Sequence, residues 1–351
     1  MRTVAIAVPD DRSDWTHAAG MSIEELYRGI TTGSTAFKVE LITPADVSGH
    51  TGGRGVLSDW RMLLFEQRDA PKLAAQKGAG VLVMPYSAAP LESELPVVVI
   101  EAVQMGIRRG LSGRALHAAR SAGASGAERR IVYADHHPED GGGGGALRLE
   151  PWVNPMFSAL SDPEDRGVVD LFDLPFSYVL AHGVRKQEIP ALLAAWTWVD
   201  GSVGDSVPLA CIVSDRSEGQ LWLSEAKRLG LNSVRAVEGV DLDLLPALYR
   251  RAEALLVGAS GVQPQSLRWA LATGLPVTAF DLAVTNSVLG SSGYLVPAGD
   301  TRALGAACLT VIVETEVRER LKREGLARAR HYHLSRTAQL INEQISAVLQ
   351  L

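Results

Sequence analysis

The sequence has few features that would link it to nucleic acid, to a membrane or to an oxidising compartment. Its 351 residues carry a net charge of −6, and Lys and Arg (34) do not outnumber Asp and Glu (40), so a nucleic-acid partner is not expected. No apolar run approaches the ~18 residues of a membrane span, although peripheral membrane contact stays open. The two cysteines, Cys211 and Cys308, lie in apolar runs, which predicts buried thiols and favours a cytoplasmic protein.

Motifs of common catalytic sites are also missing. There is no GxSxG, HExxH, Walker A or CxxC pattern. The most suggestive grouping of metal-binding side chains is His136 and His137 between Asp135 and Asp140. It directly precedes five glycines at 141–145, a composition more typical of a flexible acidic loop than of a metal site. We therefore expect no metal and no resident cofactor.

The chain does contain a regular alternation of short apolar runs and helical patterns. In the first half, strands are predicted at TVAIAV, FKVELIT, GVLVMP, PVVVI and RRIVYA. In the second half they are predicted at FSYVLAHG, PLACIVS, SVRAVEG, ALLVGAS, PVTAF and GYLVPA, with helices such as QEIPALLAAWTWV and SLRWALATG between them. This alternation predicts an α/β protein with two Rossmann-like, doubly wound domains. Ligands of such domains bind beyond the carboxyl ends of the strands, so we expect a cleft there.

A stretch rich in Pro and Asp divides the two series of strands. We predict an N-terminal Rossmann-like domain over residues 1–157, a linker over 158–175 and a C-terminal Rossmann-like domain over 176–334. The remaining residues, 335–351, are predicted to form a last helix.

The second half resembles the family-4 (group 1) glycosyltransferases of GT-B fold in the order of its motifs. The resemblance runs through YVLAHGVRKQEIPALLAAW, AKRLGLNSVRAVEGV, DLDLLPALYRRAEALLVGAS, GLPVTAF, GYLVPAGD and ERLKREGLARARHYHLSRTA, and it covers about residues 176–340. The first half matches more loosely, through THAAGMSIEELYRGI and LEPWVNPMF. The resemblance implies two domains facing each other across a cleft, with the acceptor on the N-terminal side and a nucleotide-diphosphate sugar on the other. It also implies that the last helix returns to the N-terminal domain.

The resemblance places the donor diphosphate on a basic pair and on a glycine turn. The basic pair is Arg185 and Lys186, and the turn is formed by Gly261, Val262 and Gln263. Cations and the free N–H groups of a helix N-terminus neutralise a leaving diphosphate. A cation at a helix start opposes the helix dipole, so a ligand role for the pair stands beside the alternative of a solvated helix start.

Further residues at the carboxyl ends of the predicted strands are candidates for the nucleotide and sugar pocket. They are Gly20, His182, Gly183, Ser214, Glu238, Gly239, Gln265 and Trp269. Lone histidines are more often structural, and we expect Trp269 to pack rather than to bind.

Three polar groups of the family pattern are replaced in this sequence. The family's two glutamates fall on Gly261 and Trp269, and no carboxylate occurs between Glu253 and Asp281. Glycine offers no acceptor, and an indole N–H only donates. In place of the family's histidine-aspartate pair after PVVVI stands Glu101, which is a candidate catalytic carboxylate or, alternatively, a salt-bridged residue that opens a helix.

Three functions compete on these observations. The first is a catalytically impaired relative that serves as a partner or regulatory subunit of an active glycosyltransferase in glycan biosynthesis. The second is an active retaining enzyme that transfers sugar from a UDP-, GDP- or ADP-sugar to a glycan, lipid or small-molecule acceptor. The third is an epimerase of nucleotide sugars. Loss of one polar contact in such a site costs ~10²–10³ in rate, so the joint replacements favour the first.

Overall fold

Two parallel six-stranded sheets organise the chain, one in each half. The computed structural model describes residues 2–8, 23–33, 36–47, 56–85, 89–101, 114, 118–120, 122–123, 126–133, 147–258 and 264–350. One unit comprises Met1–Asn154 together with Tyr332–Leu351, and the other comprises Pro155–His331. The predicted α/β fold class, with two doubly wound parallel sheets, is confirmed.

The strands of the first unit lie in the order β2-β1-β3-β4-β5-β6, and every neighbouring pair is parallel. They span Arg2–Ala7 (β1), Phe37–Ile42 (β2), Ala79–Met84 (β3), Val97–Glu101 (β4), Arg129–Tyr133 (β5) and Leu147–Leu149 (β6). Helices α1 (Ile23–Gly33), α2 (Val56–Leu64) and α3 (Ala70–Gln76) accompany them, and the π-helical turn Phe65–Asp69 joins α2 to α3. The central strands β1 and β3 are buried on both faces, so they appear in the sequence as continuous apolar runs.

A buried ion pair crosses the first unit at the π-helical turn. Glu66 is fully buried there, and Arg120 donates to it from Nη2 to Oε1 at 2.5 Å and from Nε to Oε2 at 3.0 Å. The neighbouring Gln67 bonds the backbone of Ala89 and Leu91 through its side-chain amide, at 3.0 and 2.8 Å. The turn therefore ties α2 and α3 to the segment between β3 and β4.

The first unit is completed by the end of the chain. Helix α12 (Leu334–Leu349) packs on α1, and Asn342 Nδ2 donates to the carbonyl oxygen of Ile30 at 3.2 Å. Three apolar side chains of α12 belong to the core that also contains β1 and β3: Ile341, Ile345 and Leu349. Gly29 permits the contact, since a Cβ there would lie 3.2 Å from the Cβ of Ala338.

The strands of the second unit lie in the order β9-β8-β7-β10-β11-β12, again all parallel. They span Val179–Ala181 (β7), Leu209–Ile212 (β8), Val234–Val237 (β9), Ala254–Val257 (β10), Val277–Phe280 (β11) and Tyr294–Val296 (β12). The helices are Asp165–Leu171 (α4), Ile189–Val203 (α5), Arg216–Arg228 (α6), Leu245–Arg251 (α7), Pro264–Thr273 (α8), Ala283–Leu289 (α9), Thr301–Val313 (α10) and Thr315–Ala329 (α11). Counted within the unit, this is the 3-2-1-4-5-6 order of a dinucleotide-binding sheet, with its switch point between β7 and β10.

The segment predicted as a linker, 158–175, contains helix α4, which packs on α7. Arg250 of α7 binds the Asp165 carboxylate with two charged hydrogen bonds, at 2.6 and 2.8 Å. Asp165 is almost fully buried, and such bidentate pairs are directional. The pair therefore holds α4 to the second unit.

Helices α5 and α10 cross closely at Gly305. A Cβ added to Gly305 would overlap the carbonyl oxygen of Ala195 and would lie 2.8 Å from the Cβ of Trp198. Only a glycine lets the two helices approach to this distance.

Both cysteines are free and fully buried, Cys211 in β8 and Cys308 in α10. Burial raises the pKa of the Cys308 thiol to about 12, so it stays protonated. Among the described helices, none is long and apolar enough to cross a membrane.

Candidate functional site

The switch point of the second sheet is the natural place for a ligand. There β7 and β10 lie side by side and parallel. Beyond their carboxyl ends follow His182 and Gly183 from β7 and Gly258 from β10, and helix α8 begins shortly after. Connections leave a doubly wound sheet in opposite directions at this point, which opens a crevice at the carboxyl edge.

The basic pair lies at this edge, in the turn between β7 and α5. Arg185 and Lys186 are exposed, and Gly183 has a φ of +70°, which favours glycine in the turn before them. The backbone N–H of Arg185 donates to Glu188 Oε2 at 3.3 Å. Both cationic side chains therefore face solvent, where a diphosphate could reach them.

A carboxylate at the end of β8 lies near the basic pair. Hydrogen bonds from the Ser217 hydroxyl and the Glu218 backbone N–H lower the pKa of Asp215, and the charge of Lys186 lowers it further. Asp215 is also the N-cap of α6, accepting from the N–H of Glu218 at 2.9 Å. It is thus ionised at neutral pH, and an anion bound at Lys186 would compete with it.

Ser214 is engaged in hydrogen bonds with the first turn of helix α6. Its backbone N–H and its hydroxyl both donate to Glu218 Oε2, at 3.0 and 2.6 Å. The Glu218 carboxylate thus reaches back to the residue before the N-cap Asp215, and this local role by itself explains the serine. At the end of β9, Glu238 is exposed, and a Cβ on Gly219 would lie only 2.9 Å from its Oε1. The next residue, Gly239, has a φ of +68°.

Four rings form an aromatic cluster beside the switch point: Phe157, His182, Tyr249 and Trp269. Trp269 is 3% exposed and stacks on Phe157, with ring centroids 4.5 Å apart and an interplanar angle of 1°. The His182 ring lies 5.7 Å from Trp269 at 21°, and Tyr249 meets Trp269 edge to face at 6.1 Å. The indole face that could receive a sugar or a base is thus in contact with the protein's own rings.

His182 is neutral in this cluster. Its Nδ1 lies 2.7 Å from the Tyr249 hydroxyl oxygen. Burial lowers the pKa of His182 to about 4, and burial also raises the pKa of Tyr249 above its ordinary value. At neutral pH the imidazole therefore carries no positive charge that could attract a diphosphate. It also lacks the imidazolium proton that a general acid would donate.

The depressed pKa of His182 predicts an acid-sensitive second unit. The folded pKa lies below that of the unfolded chain, so this stabilisation is complete above pH ~6.5 and is lost as the pH falls towards 4. Between pH 7.5 and 4.5 we expect His182 to account for about 2 kcal/mol of lost unfolding free energy. Urea unfolding of the wild type and of His182→Gln at both pH values measures this loss. The contribution of the other seven histidines is the same in both proteins and cancels when their pH dependences are subtracted. Equal pH dependence in the two proteins would contradict the assignment.

Gln265 does not take the role of a carboxylate in the observed arrangement. It is 2% exposed in the first turn of α8, and its Oε1 accepts a long hydrogen bond, 3.4 Å, from Nη1 of the buried Arg268. The side-chain carbonyl is thus directed to a neighbour on the same helix.

Several predicted site residues lie outside the described part of the chain. These are Gly20, Gly261, Val262 and Gln263, together with His136 and His137. Glu101 ends β4 and pairs with Val132, and its side chain is not described. Within the described residues, no group of three or more His, Cys, Asp or Glu side chains is arranged to hold a metal ion.

The structure also identifies a polar residue at this edge that the sequence patterns do not reveal. Glu188, at the start of α5, is 4% exposed, and no hydrogen-bond partner is found for its Oε1 in the described part of the chain. A buried carboxylate oxygen without a partner is costly, which makes such an atom a candidate for ligand contact. The only sequence signal is an acidic residue directly before the apolar run IPALL.

Comparisons with known proteins give structural similarity without detectable sequence similarity. No family model matches the chain, and no curated protein matches it. A solved glycosyltransferase from Rickettsia africae ESF-5 is similar at a TM-score of 0.68 and 12% identity, over 99% of this chain and 98% of the other. HepE from Anabaena, solved in complex with UDP-glucose, is similar at 0.61 and 14%, over 99% and 100%.

An enzyme of another class shares the same architecture. The UDP-GlcNAc 2-epimerase from Methanocaldococcus jannaschii is similar at a TM-score of 0.56 and 10% identity, over 98% of this chain and 99% of the other. The chain therefore has the GT-B fold of these glycosyltransferases, a fold that carries more than one reaction.

Proposed function

We propose that this chain is a glycosyltransferase-like protein with a nucleotide-diphosphate-sugar site, that it is catalytically impaired, and that it serves as a partner or regulatory subunit in glycan biosynthesis. The observation that carries the proposal is the packing of Trp269. The resemblance aligns this position with the glutamate that usually contacts the nucleotide ribose, and here an indole stacks on Phe157 at 4.5 Å and is 3% exposed.

The chemistry of sugar transfer explains why the replacement of both glutamates matters, since the resemblance places the other one, which contacts the donor sugar, on Gly261. Breaking the anomeric bond puts positive charge on the sugar and negative charge on the diphosphate, and both need opposite charges placed in advance. Gly261 and Trp269 offer no acceptor in place of the two glutamates. The nearby Gln265 and His182 do not replace them, because Gln265 is engaged by Arg268 and His182 is neutral. Loss of one such polar contact costs ~10²–10³ in rate, so the joint replacements leave transfer slower by several orders of magnitude.

Binding of the diphosphate depends on other groups than sugar transfer does, and the basic pair is present in this chain. Arg185 and Lys186 are exposed at the carboxyl edge of β7, and guanidinium and ammonium groups form strong charge-assisted bonds with phosphate. HepE, which shares the fold, was solved with UDP-glucose, and this supports a nucleotide sugar as the ligand class. The proposal is thus recognition of a donor or its nucleotide without efficient turnover.

A second candidate is an active retaining transferase, and Glu188 is the observation in its favour. Its buried Oε1 has no partner in the described residues and lies one turn beyond the basic pair, so it could accept a hydrogen bond from a donor hydroxyl. An epimerase is less well supported, because such a reaction needs acid–base groups and His182 has its pKa lowered to about 4.

Calorimetric titration with UDP, GDP and ADP, with and without Mg²⁺, tests the proposal. We expect one nucleotide to bind, and Arg185→Ala/Lys186→Ala to weaken its binding at least ~10-fold, because two charge-assisted contacts are lost. Lys227→Ala/Arg228→Ala removes the same charge from the last turn of α6 and is the matched control. The corresponding nucleotide sugar should give no turnover with a panel of acceptors.

Three results would contradict this proposal in different ways. Turnover that is lost in Glu188→Gln would establish the active transferase instead. Inversion of a stereocentre in the free nucleotide sugar would establish an epimerase. If none of the three nucleotides bound, the proposal of a donor site would be ruled out.

A further inference from the structure

A polar cavity lies in the second unit, at the opposite edge of the sheet from the candidate site. It has a volume of about 190 Å³ and opens where β10 and β11 begin. Its walls are the last turn of α7, the segment between α8 and β11, and one face of α11. Every residue that lines it belongs to the described part of the chain. None belongs to the basic pair, and Tyr249 is the one lining residue that it shares with the aromatic cluster.

Two of the four cations that line the cavity are already neutralised. Arg250 holds Asp165 with two hydrogen bonds, at 2.6 and 2.8 Å. Arg318 lies 3.5 Å from Glu253 and donates to the carbonyl oxygen of Ile312 at 2.9 Å, near the end of α10. These side chains have structural partners and do not call for a ligand.

The other two cations, Arg251 and Lys322, have no ion-pair partner in the described part of the chain. The Arg251 guanidinium lies 4.9 Å from the centre of the Phe176 ring, and its buried Nε finds no hydrogen-bond partner there. The aliphatic chain of Lys322 lies over Gly274, where a Cβ would be 3.2 Å from its Cγ. A guanidinium fork and an ammonium group at one cavity are the usual elements of phosphate recognition.

Some negatively charged groups in the wall of the cavity disfavour the binding of an anion. Glu319 also lines the cavity, although it is exposed, and α7 and α8 end here, so their negative dipole ends point to the same space. These groups partly offset the two cations. We therefore expect a dissociation constant for phosphate of about 1 mM rather than one in the micromolar range.

The volume restricts the ligand to a small one. About 190 Å³ lies below the ~300–1,000 Å³ of a pocket for a larger ligand. We propose that this cavity is a phosphate site, in which Arg251 and Lys322 bind a phosphate dianion, either free or as the end of a sugar phosphate.

Titration with inorganic phosphate at constant ionic strength, followed by calorimetry and by ³¹P NMR, tests the site on the intact chain. Lys322→Gln and Arg251→Gln should each weaken binding about 10-fold or more, the loss expected for one charge-assisted hydrogen bond. Glu319→Gln should strengthen binding, an effect that a structural role of this wall would not produce. Lys322 and Glu319 are exposed, so these two variants are expected to fold even if Arg251→Gln does not.

The Arg185→Ala/Lys186→Ala protein separates this site from the candidate donor site. It should keep its phosphate affinity here while losing nucleotide affinity. Tighter binding of glucose 1-phosphate than of phosphate would identify a sugar phosphate as the ligand, whereas equal or weaker binding would identify free phosphate. Phosphate binding that disappears only in Arg185→Ala/Lys186→Ala, or that none of the variants changes, would overturn the proposal.

Discussion

Replacing Arg120 by Met should lower the unfolding free energy of the first unit by about 3–5 kcal/mol. The substitution leaves Glu66 fully buried without the guanidinium that binds both of its oxygens. Burial already raises the pKa of Glu66, and Arg120 is the group that opposes this rise. Without Arg120 the carboxyl will protonate more readily, so the destabilisation should shrink as the pH falls. Urea unfolding measures the change, and hydrogen exchange of β1 and β3 peptides assigns it to the first unit.

Two comparisons make this prediction specific. Arg68→Ala removes a cation of the π-helical turn itself, but its pair with Asp69 is surface-exposed on the arginine side and should contribute little to stability. The double variant Glu66→Leu/Arg120→Met should recover much of the loss, because apolar replacement of a buried pair is often close to neutral. If Arg120→Met and Arg68→Ala had the same effect, the buried pair would not be the feature that matters.

Gly305→Ala should destabilise the second unit by about 3 kcal/mol. The new methyl group would overlap the carbonyl oxygen of Ala195 and approach the Cβ of Trp198 to 2.8 Å, so α5 and α10 must separate and lose core contacts. The measurement is again denaturant unfolding, with hydrogen exchange of α5 and α10 peptides as the local readout.

Gly201 provides the matched control for Gly305, because it lies on α5 itself. A Cβ at Gly201 meets no atom within 4 Å, so Gly201→Ala should stabilise the helix by about 0.5–1 kcal/mol. Opposite signs at the two glycines would establish close helix packing as the cause. Destabilisation by both variants would instead point to a general intolerance of the helices.

The parallel strands could be predicted because both of their faces are buried. Strand β10 is ALLV and β3 is AGVLVM, so each shows an apolar run that turn residues interrupt. The elements that the sequence analysis did not predict lack such an apolar run. Strand β6 has three residues after a glycine-rich segment, and the π-helical turn Phe65–Asp69 differs from an ordinary helix only in its hydrogen bonding. Helix α4 depends on a distant partner, since Asp165 is held by Arg250.

The candidate site could be predicted only in part, for a related reason. The basic pair follows β7 directly, so the order of strands was enough to place it at the carboxyl edge. The aromatic cluster joins residues far apart in the chain, and no local pattern indicates that Phe157 stacks on Trp269. The low pKa of His182 comes from burial in that cluster, which sequence composition does not record. Glu188 stood out only once its burial was known.

The position of α12 also affects how the chain can fold during translation. The whole of Pro155–His331 is synthesised after β6 and before α12, the helix that supplies Ile341, Ile345 and Leu349 to the first core. At ~5–20 residues per second, the ribosome needs on the order of ten seconds or more for that stretch. The second unit can close as soon as its own continuous segment has emerged, whereas the first unit must wait with one flank of its sheet uncovered. The half that is made first is therefore the half that is finished last, and its apolar flank stays exposed to solvent until α12 has been synthesised.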